Sequence, residues 1–174
     1  MTLPEIATLA EELGRTYNPE HIAPFPSERV VAEHDDLDIY FTHLDDFDIS
    51  GVSLFKDGRY AIIINTSKPE TRQHFTLGHE LGHYFLHKEL LRKEESIIDG
   101  DGWLDGPNIL YRMNGAENMQ LELEANNFAG SLLMPEELVR RAWEVTGSIE
   151  ACAQLFRVSA VAMSVRLTRL GLVT

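Results

Sequence analysis

Residues 75–83 read "FTLGHELGH", and the spacing of the two histidines in this stretch decides how the chain must fold around it. On an α-helix, positions i and i+4 lie one above the other, about 6 Å apart along the axis. His79 and His83 can then aim their imidazoles at one ion, as a tetrahedral zinc site requires. Glu80 sits beside the first of these ligands, where its carboxylate can reach a water held by the same ion. That is the arrangement of the H-E-x-x-H zinc hydrolases. The plainer alternative for the same residues is an amphipathic helix with two satisfied core histidines.

The flanking sequence supplies the setting that the metal reading needs. Upstream, "DIYF", "ISGVSLF" and "RYAIIIN" are short β-rich runs, and the last two are joined by "KDG", whose Asp-Gly pair favours a tight hairpin turn. They predict a small antiparallel sheet, with the strand "RYAIIIN" as an edge along which an extended peptide could add. Ser67 followed by Glu70 matches a capping box, so a long helix carrying the motif should begin there and run through His87. Residues 88–116 hold four glycines, a proline and many charges, which predicts a loop or lid with little regular structure.

Further out, Ile6, Leu9, Ala10 and Leu13 repeat at helical spacing between Pro4 and Gly14 and predict an opening amphipathic helix. "YNPEHIAPFPSE" contains three prolines and reads as an extended connector. Downstream, "MQLELEANNFAGSLLM" should be helical, and Pro135 should begin a further helix that Gly147 closes. "SIEACAQLF" and "SAVAMSVRLTRLG" each place serine at an N-cap. The expected class is therefore α+β: a small antiparallel sheet on a metal-binding helical core, followed by a helix-turn-helix-like hairpin. Residues 1–147 would form the catalytic domain and residues 148–174 the hairpin packed on it.

Bulk properties narrow the functional classes. A chain of 174 residues with 44% apolar content can build one good core. No basic leader precedes an apolar segment and no run approaches a membrane span, so the expected setting is the cytoplasm without membrane partners. The single cysteine, Cys152, excludes an internal disulfide framework and a cysteine-cage metal site, and it reads as a small core residue. A net charge of −13 argues against direct nucleic-acid binding as the main activity. Acidic runs at 33–38 and 45–48 read as solvated faces.

A catalytic zinc takes three protein ligands and water, so a third ligand must be found. His87 extends the stripe, but on an unbroken helix it lies about 12 Å along the axis from His79, too far to share one ion with it. It reads as structural or as an outer-shell group. On the later helix, Ala125, Phe128, Ala129 and Leu132 mark the buried side. Glu122 falls near that side and ranks first as ligand; Glu124 points further round and ranks second. Asn126, one turn beyond Glu122, could accept a hydrogen bond from a ligand histidine and so fix its tautomer.

Three blocks, "RQHFTLGHELGHYFLH", "ELEANNFAGSLLMP" and "FRVSAVAMSVRLTRLGLV", together resemble the ImmA/IrrE family of zinc metallopeptidases, in order and with few gaps from Ile49 to Val173. The resemblance implies a minimal gluzincin-like fold holding one Zn2+ ion. It implies His79, His83 and Glu122 as ligands, Glu80 as catalytic base, and Asn126 in the outer-shell position of an E-x-x-x-N motif. It further implies a cytoplasmic regulatory protein as substrate, often a helix-turn-helix repressor or antitoxin, cleaved under stress or in mobile-element induction. The segment between the two metal-bearing blocks is longer than in compact relatives, and the additional C-terminal sensor domain of some relatives is not expected.

Candidates for stabilising an oxyanion are Tyr111, Arg112 and His74, and the sequence does not choose among them. Trp103 and Tyr111 could line a cleft or anchor the loop that carries them. Arg157, Arg166 and Arg169 could face DNA from the last two helices, although the acidity of the chain favours a hairpin that packs on the core or pairs with a second copy. The leading expectation is a zinc endopeptidase acting on a regulatory protein. The alternatives are a metal-stabilised protein that sequesters a repressor without cutting it, and a DNA-binding module.

Overall fold

The computed structural model describes residues 1–45, 48–94, 96–100 and 115–174. Helix α1 (Leu3–Tyr17) and the short α2 (Glu28–Ala32) precede strands β1 (Leu37–Thr42), β2 (Ile49–Lys56) and β3 (Arg59–Asn65). Helix α3 (Glu70–Leu86) carries the histidine motif. It is followed by α4 (Lys88–Glu94), β4 (Ser96–Gly100) and α5 (Gly115–Leu133). The chain continues through α6 (Glu136–Thr146), α7 (Ile149–Phe156) and α8 (Ala160–Arg169).

The β2–β3 hairpin forms at the expected turn. Asp57 and Gly58 take φ values of 52° and 81°, two left-handed residues in succession, as a two-residue turn matched to strand twist requires. The sheet, however, is mixed and not antiparallel. Its order is β1-β3-β2-β4, and β1 pairs with β3 in parallel, Leu37 opposite Tyr60 through Thr42 opposite Asn65. Two reversals of direction separate β1 from β3, so the two strands run the same way once they become neighbours. The expectation that β3 is an edge is corrected by the same order: β3 is interior, and the edges are β1 and β4. Strand periodicity says which face of a strand is buried and nothing about which strand sits beside it.

Tyr60, Ile62 and Ile64 on β3 alternate into the core and are at most 2% exposed. Each such side chain contributes about 1.5–3 kcal/mol relative to exposure. They back α3, whose Tyr84 meets Tyr60 edge-on with ring centroids 5.2 Å apart. The capping box does not form. The N-cap of α3 is Pro69, without a side-chain cap, and the backbone N–H of Ser67 donates instead to Asn65 Oδ1 at 3.0 Å. Asn65 also donates to Ile49 O at 2.7 Å, tying the end of β3 to the start of β2 just ahead of the metal helix.

Regular structure reaches further into residues 88–116 than their glycine content suggested. Leu91 on α4 is 1% exposed, and β4 extends the sheet by pairing with β2; one buried leucine outweighs the charges around it. At the C-terminus the expected punctuation is present. Gly147 closes α6 at φ 56°, and the Ser148 and Ser159 hydroxyls accept from Ala151 N and Ala162 N at 3.2 and 3.1 Å. Cys152 is fully buried and free. Among the described residues no helix is long and apolar enough to cross a membrane.

Arg166 is buried, not presented to solvent. Its guanidinium donates to Met134 O at 2.8 Å, Ser131 Oγ at 3.2 Å and Glu11 Oε1 at 2.8 Å. Arg169 donates to Asn127 Oδ1 at 3.0 Å. The last helix is thereby bonded to α5, to the residue that follows it, and to α1.

Helices α3 and α5 bring backbone against backbone at Gly82. A Cβ built there would lie 3.0 Å from Ala125 Cα and 3.1 Å from Ala125 O. Glycine inside a helix costs about 0.5–1 kcal/mol relative to alanine, whereas forcing extra atoms into such a contact costs about 1–3 kcal/mol. Gly82→Val should therefore lower the stability of the metal-free chain by about 1–3 kcal/mol in chemical denaturation. An unchanged midpoint would show that the two backbones need not approach this closely.

Candidate metal centre

The i, i+4 spacing on α3 brings His79 Nε2 and His83 Nε2 to 3.1 Å. From the antiparallel α5, Glu122 places Oε2 3.1 Å from His79 Nε2 and Oε1 3.3 Å from His83 Nε2. Among the described residues these three form the metal-capable group, with ligand atoms all within 4.8 Å of one another. Metal–ligand bonds of 2.0–2.1 Å set tetrahedral ligand–ligand edges of about 3.3–3.4 Å, so the observed separations match one shared small cation.

The chemistry of the donors fits as well. His79, His83 and Glu122 are at most 3% exposed, and Glu122 Oε1 is a buried acceptor without a hydrogen-bond partner. Burial pushes the His83 imidazole down to about 4, so it is neutral near pH 7 with a lone pair to donate. Burial alone would raise the Glu122 carboxyl, but the His79 and His83 imidazoles beside it outweigh burial and hold the group below the usual carboxylate range. Two imidazoles and one carboxylate meeting in a buried site form a ligand set for a divalent cation.

The opposite ring nitrogens are occupied. His79 Nδ1 lies 3.2 Å from Asn126 Oδ1, the contact expected of Asn126; an N–H there leaves Nε2 free to ligate. His83 Nδ1 lies 2.9 Å from His87 Nδ1. Thus His87, the helix C-cap, stands behind His83 and does not join the trio. Glu124 in turn contacts His87 Nε2 at 3.0 Å and is not one of the three.

Glu80 is fully buried and accepts a short hydrogen bond from the Ser53 hydroxyl. Ser53 is on β2, two residues from Gly51, where a Cβ would lie 2.5 Å from Thr76 Cγ2 and 3.0 Å from Glu80 Oε1. Gly51 therefore makes room for the carboxylate that Ser53 holds. Neither residue was singled out from sequence. The available signal was two small residues at period 2 in "ISGVSLF", which marks one strand face approached closely by another element.

The IrrE N-terminal-like domain family, Peptidase_M78, matches residues 32–168. The chain belongs to this family. Family membership and the buried His-His-Glu group together point to a metallopeptidase. No curated protein matches significantly. Among solved structures, a Mycobacterium tuberculosis transcriptional regulator shares the fold with a TM-score of 0.63 at 14% identity, over 94% of this chain and 47% of that one. This chain thus spans about half the length of that regulator.

The remaining candidates lie elsewhere. His74 borders a separate cavity of about 550 Å³ lined also by Phe25, Phe41, Leu77 and Arg157, and it is not brought to the trio. Tyr111, Arg112 and Trp103 lie outside the described residues.

Stripped protein titrated with zinc should melt at a higher temperature. Free metal at 100 times Kd adds about 2.7 kcal/mol to stability. In Glu122→Ala most of that gain should disappear in differential scanning calorimetry. The same upward shift in both proteins would show that residue 122 does not hold the ion.

Proposed function

We propose that this chain is a zinc-dependent endopeptidase that hydrolyses a peptide bond in a regulatory protein. The observation that carries the reading is Glu80. It is a fully buried carboxylate, one residue from a candidate ligand histidine, clasped by Ser53 and accommodated by Gly51. A carboxylate buried beside a candidate cation site is a mark of a functional group.

His79, His83 and Glu122 would hold the ion. When bound, the ion supplies Lewis acidity, polarising the scissile carbonyl and lowering the pKa of a coordinated water. Glu80 takes the proton of the attacking water and returns it to the leaving amine, the two halves of general acid–base catalysis by one group. Ser53, donating to one carboxylate oxygen, fixes the direction of the other. Asn126 holds the His79 ring in the tautomer that ligates through Nε2. An extended substrate needs a sheet edge for backbone pairing. With β3 interior, the edge on the side of β2, the strand bearing Gly51 and Ser53, is β4.

The class of substrate rests on the resemblance, which implies a repressor or antitoxin with a helix-turn-helix. A structural neighbour described as a transcriptional regulator is consistent with a regulatory setting. Direct DNA binding is disfavoured by the engagement of Arg166 and Arg169 within the protein and by the net charge of −13.

Wild type and Glu80→Gln, each loaded with zinc, should be incubated with the helix-turn-helix repressors and antitoxins of the same genome and the products resolved by mass spectrometry. Loss of the general base should slow cleavage by about 10²–10⁴-fold while zinc content is retained. Fragments appearing at equal rates with both proteins would defeat the proposal. Binding without fragments from the wild type would favour sequestration of the regulator instead.

A further inference from the structure

The two histidines of the centre are supported differently. Behind His79 stands a neutral amide, Asn126 Oδ1 at 3.2 Å. Behind His83 stands a chain of groups: His83 Nδ1 to His87 Nδ1 at 2.9 Å, His87 Nε2 to Glu124 Oε2 at 3.0 Å, and Gln120 Nε2 donating to Glu124 Oε1 at 2.7 Å. The side chains grow more accessible along it, from 0% for His83 to 6% for His87 and 15% for Glu124.

With His83 ligating through Nε2, one set of protons satisfies every link. A carboxylate oxygen can only accept, so His87 Nε2 carries a hydrogen and donates it to Glu124. A His83 that ligates through Nε2 keeps its hydrogen on Nδ1 and donates it to His87 Nδ1, which is therefore bare. That leaves His83 Nε2 without a hydrogen and facing Glu122 and His79.

We infer that Glu124, acting through His87, is a positioning residue for the metal ligand His83, locking its tautomer and its aim and making it the stronger of the two imidazole donors. The common arrangement sets a carboxylate or carbonyl directly behind a ligand histidine; here a second imidazole is interposed and the carboxylate comes from the same helix as the third ligand. Helix α5 then controls the ion twice, through Glu122 at first hand and through Glu124 at second hand. A segment that bends or shifts α5 near Gln120 would loosen His83 without touching any ligand. The inference rests on the metal reading of the trio, and its test separates the two.

Zinc affinity of the full chain should be measured by competition with a chromophoric chelator for wild type, His87→Phe, Glu124→Ala, Glu124→Gln, Asn126→Ala and the pairs. His87→Phe and Glu124→Ala should each weaken binding by about 10–100-fold, and Glu124→Gln, whose amide oxygen still accepts, should recover part of the loss. The His87→Phe/Glu124→Ala pair should bind no more weakly than His87→Phe alone, because one residue acts through the other. Asn126→Ala combined with Glu124→Ala should lose the product of the two single factors, as independent supports do. In the zinc-loaded wild type, NMR should show a slowly exchanging His83 Nδ1–H that His87→Phe loses, a signature that a merely structural role would not move. Zinc affinity within twofold of wild type in Glu124→Ala, or full additivity of His87→Phe with Glu124→Ala, overturns the relay while leaving the metal site standing. Failure of the wild type to bind zinc overturns both.

Discussion

The contact between Gly82 and Ala125 is the constraint on which the rest of this molecule depends. A glutamate side chain is short, and Glu122 reaches both His79 and His83 only because α3 and α5 approach until a glycine on one helix meets backbone atoms of the other. One turn earlier on α3, Gly78 plays the same part against Leu133, whose Cδ1 would lie 2.7 Å from an added Cβ. Small residues at helix crossings reduce the interaxial distance, which is otherwise set by larger side chains at 8–10 Å. The two glycines inside "LGHELGH" therefore serve the metal geometry as much as the histidines do, at the cost of some helix propensity.

That approach assembles a group which stabilises the fold poorly by itself. A buried ion pair or carboxylate loses several kcal/mol of hydration, and its partners recover this only with good geometry and full hydrogen bonding. Glu122 Oε1 lacks a hydrogen-bond partner, and His79 and His83 face each other through the same kind of nitrogen. A divalent cation would satisfy all three donors together. The hydrophobic layer beneath, with Tyr60, Ile62, Ile64, Leu81 and Phe128 each at most 2% exposed, supplies the stability that holds the donors in place before any ion arrives. The apolar core and the polar cluster thus share two helices but have separate duties. Chain entropy is offset by the first, and chemistry is carried by the second.

Much of this was readable beforehand because the signals are local. The i, i+4 histidines, the glutamate between them, the Asp-Gly turn, and Gly147, Ser148 and Ser159 all act within one helical turn or one hairpin. Their meaning follows from backbone geometry alone. The choice of Glu122 over Glu124 followed from which face of the helix carries Ala125 and Ala129. Where the reading failed, a non-local effect decided. Ser67 and Glu70 have capping-box spacing, yet Asn65 captures the Ser67 N–H. Residues 88–116 look like loop by composition, yet a place beside β2 and a buried Leu91 order part of them.

The sequence by itself determined the chemistry: which residue types are present, that His79 and His83 must share a helix face, and that a carboxylate lies between them in the chain. Tertiary structure alone decided who stands behind each of these groups. Ser53 reaches Glu80 across 27 residues, Asn126 reaches His79 across 47, and Glu124 reaches His87 across 37. No periodicity records such pairings, because they depend on the order of strands in the sheet and on how closely two helices pack. Those quantities are set by the whole core at once, and so the candidate ligands can be read along the chain whereas their supports become visible only when the chain is folded.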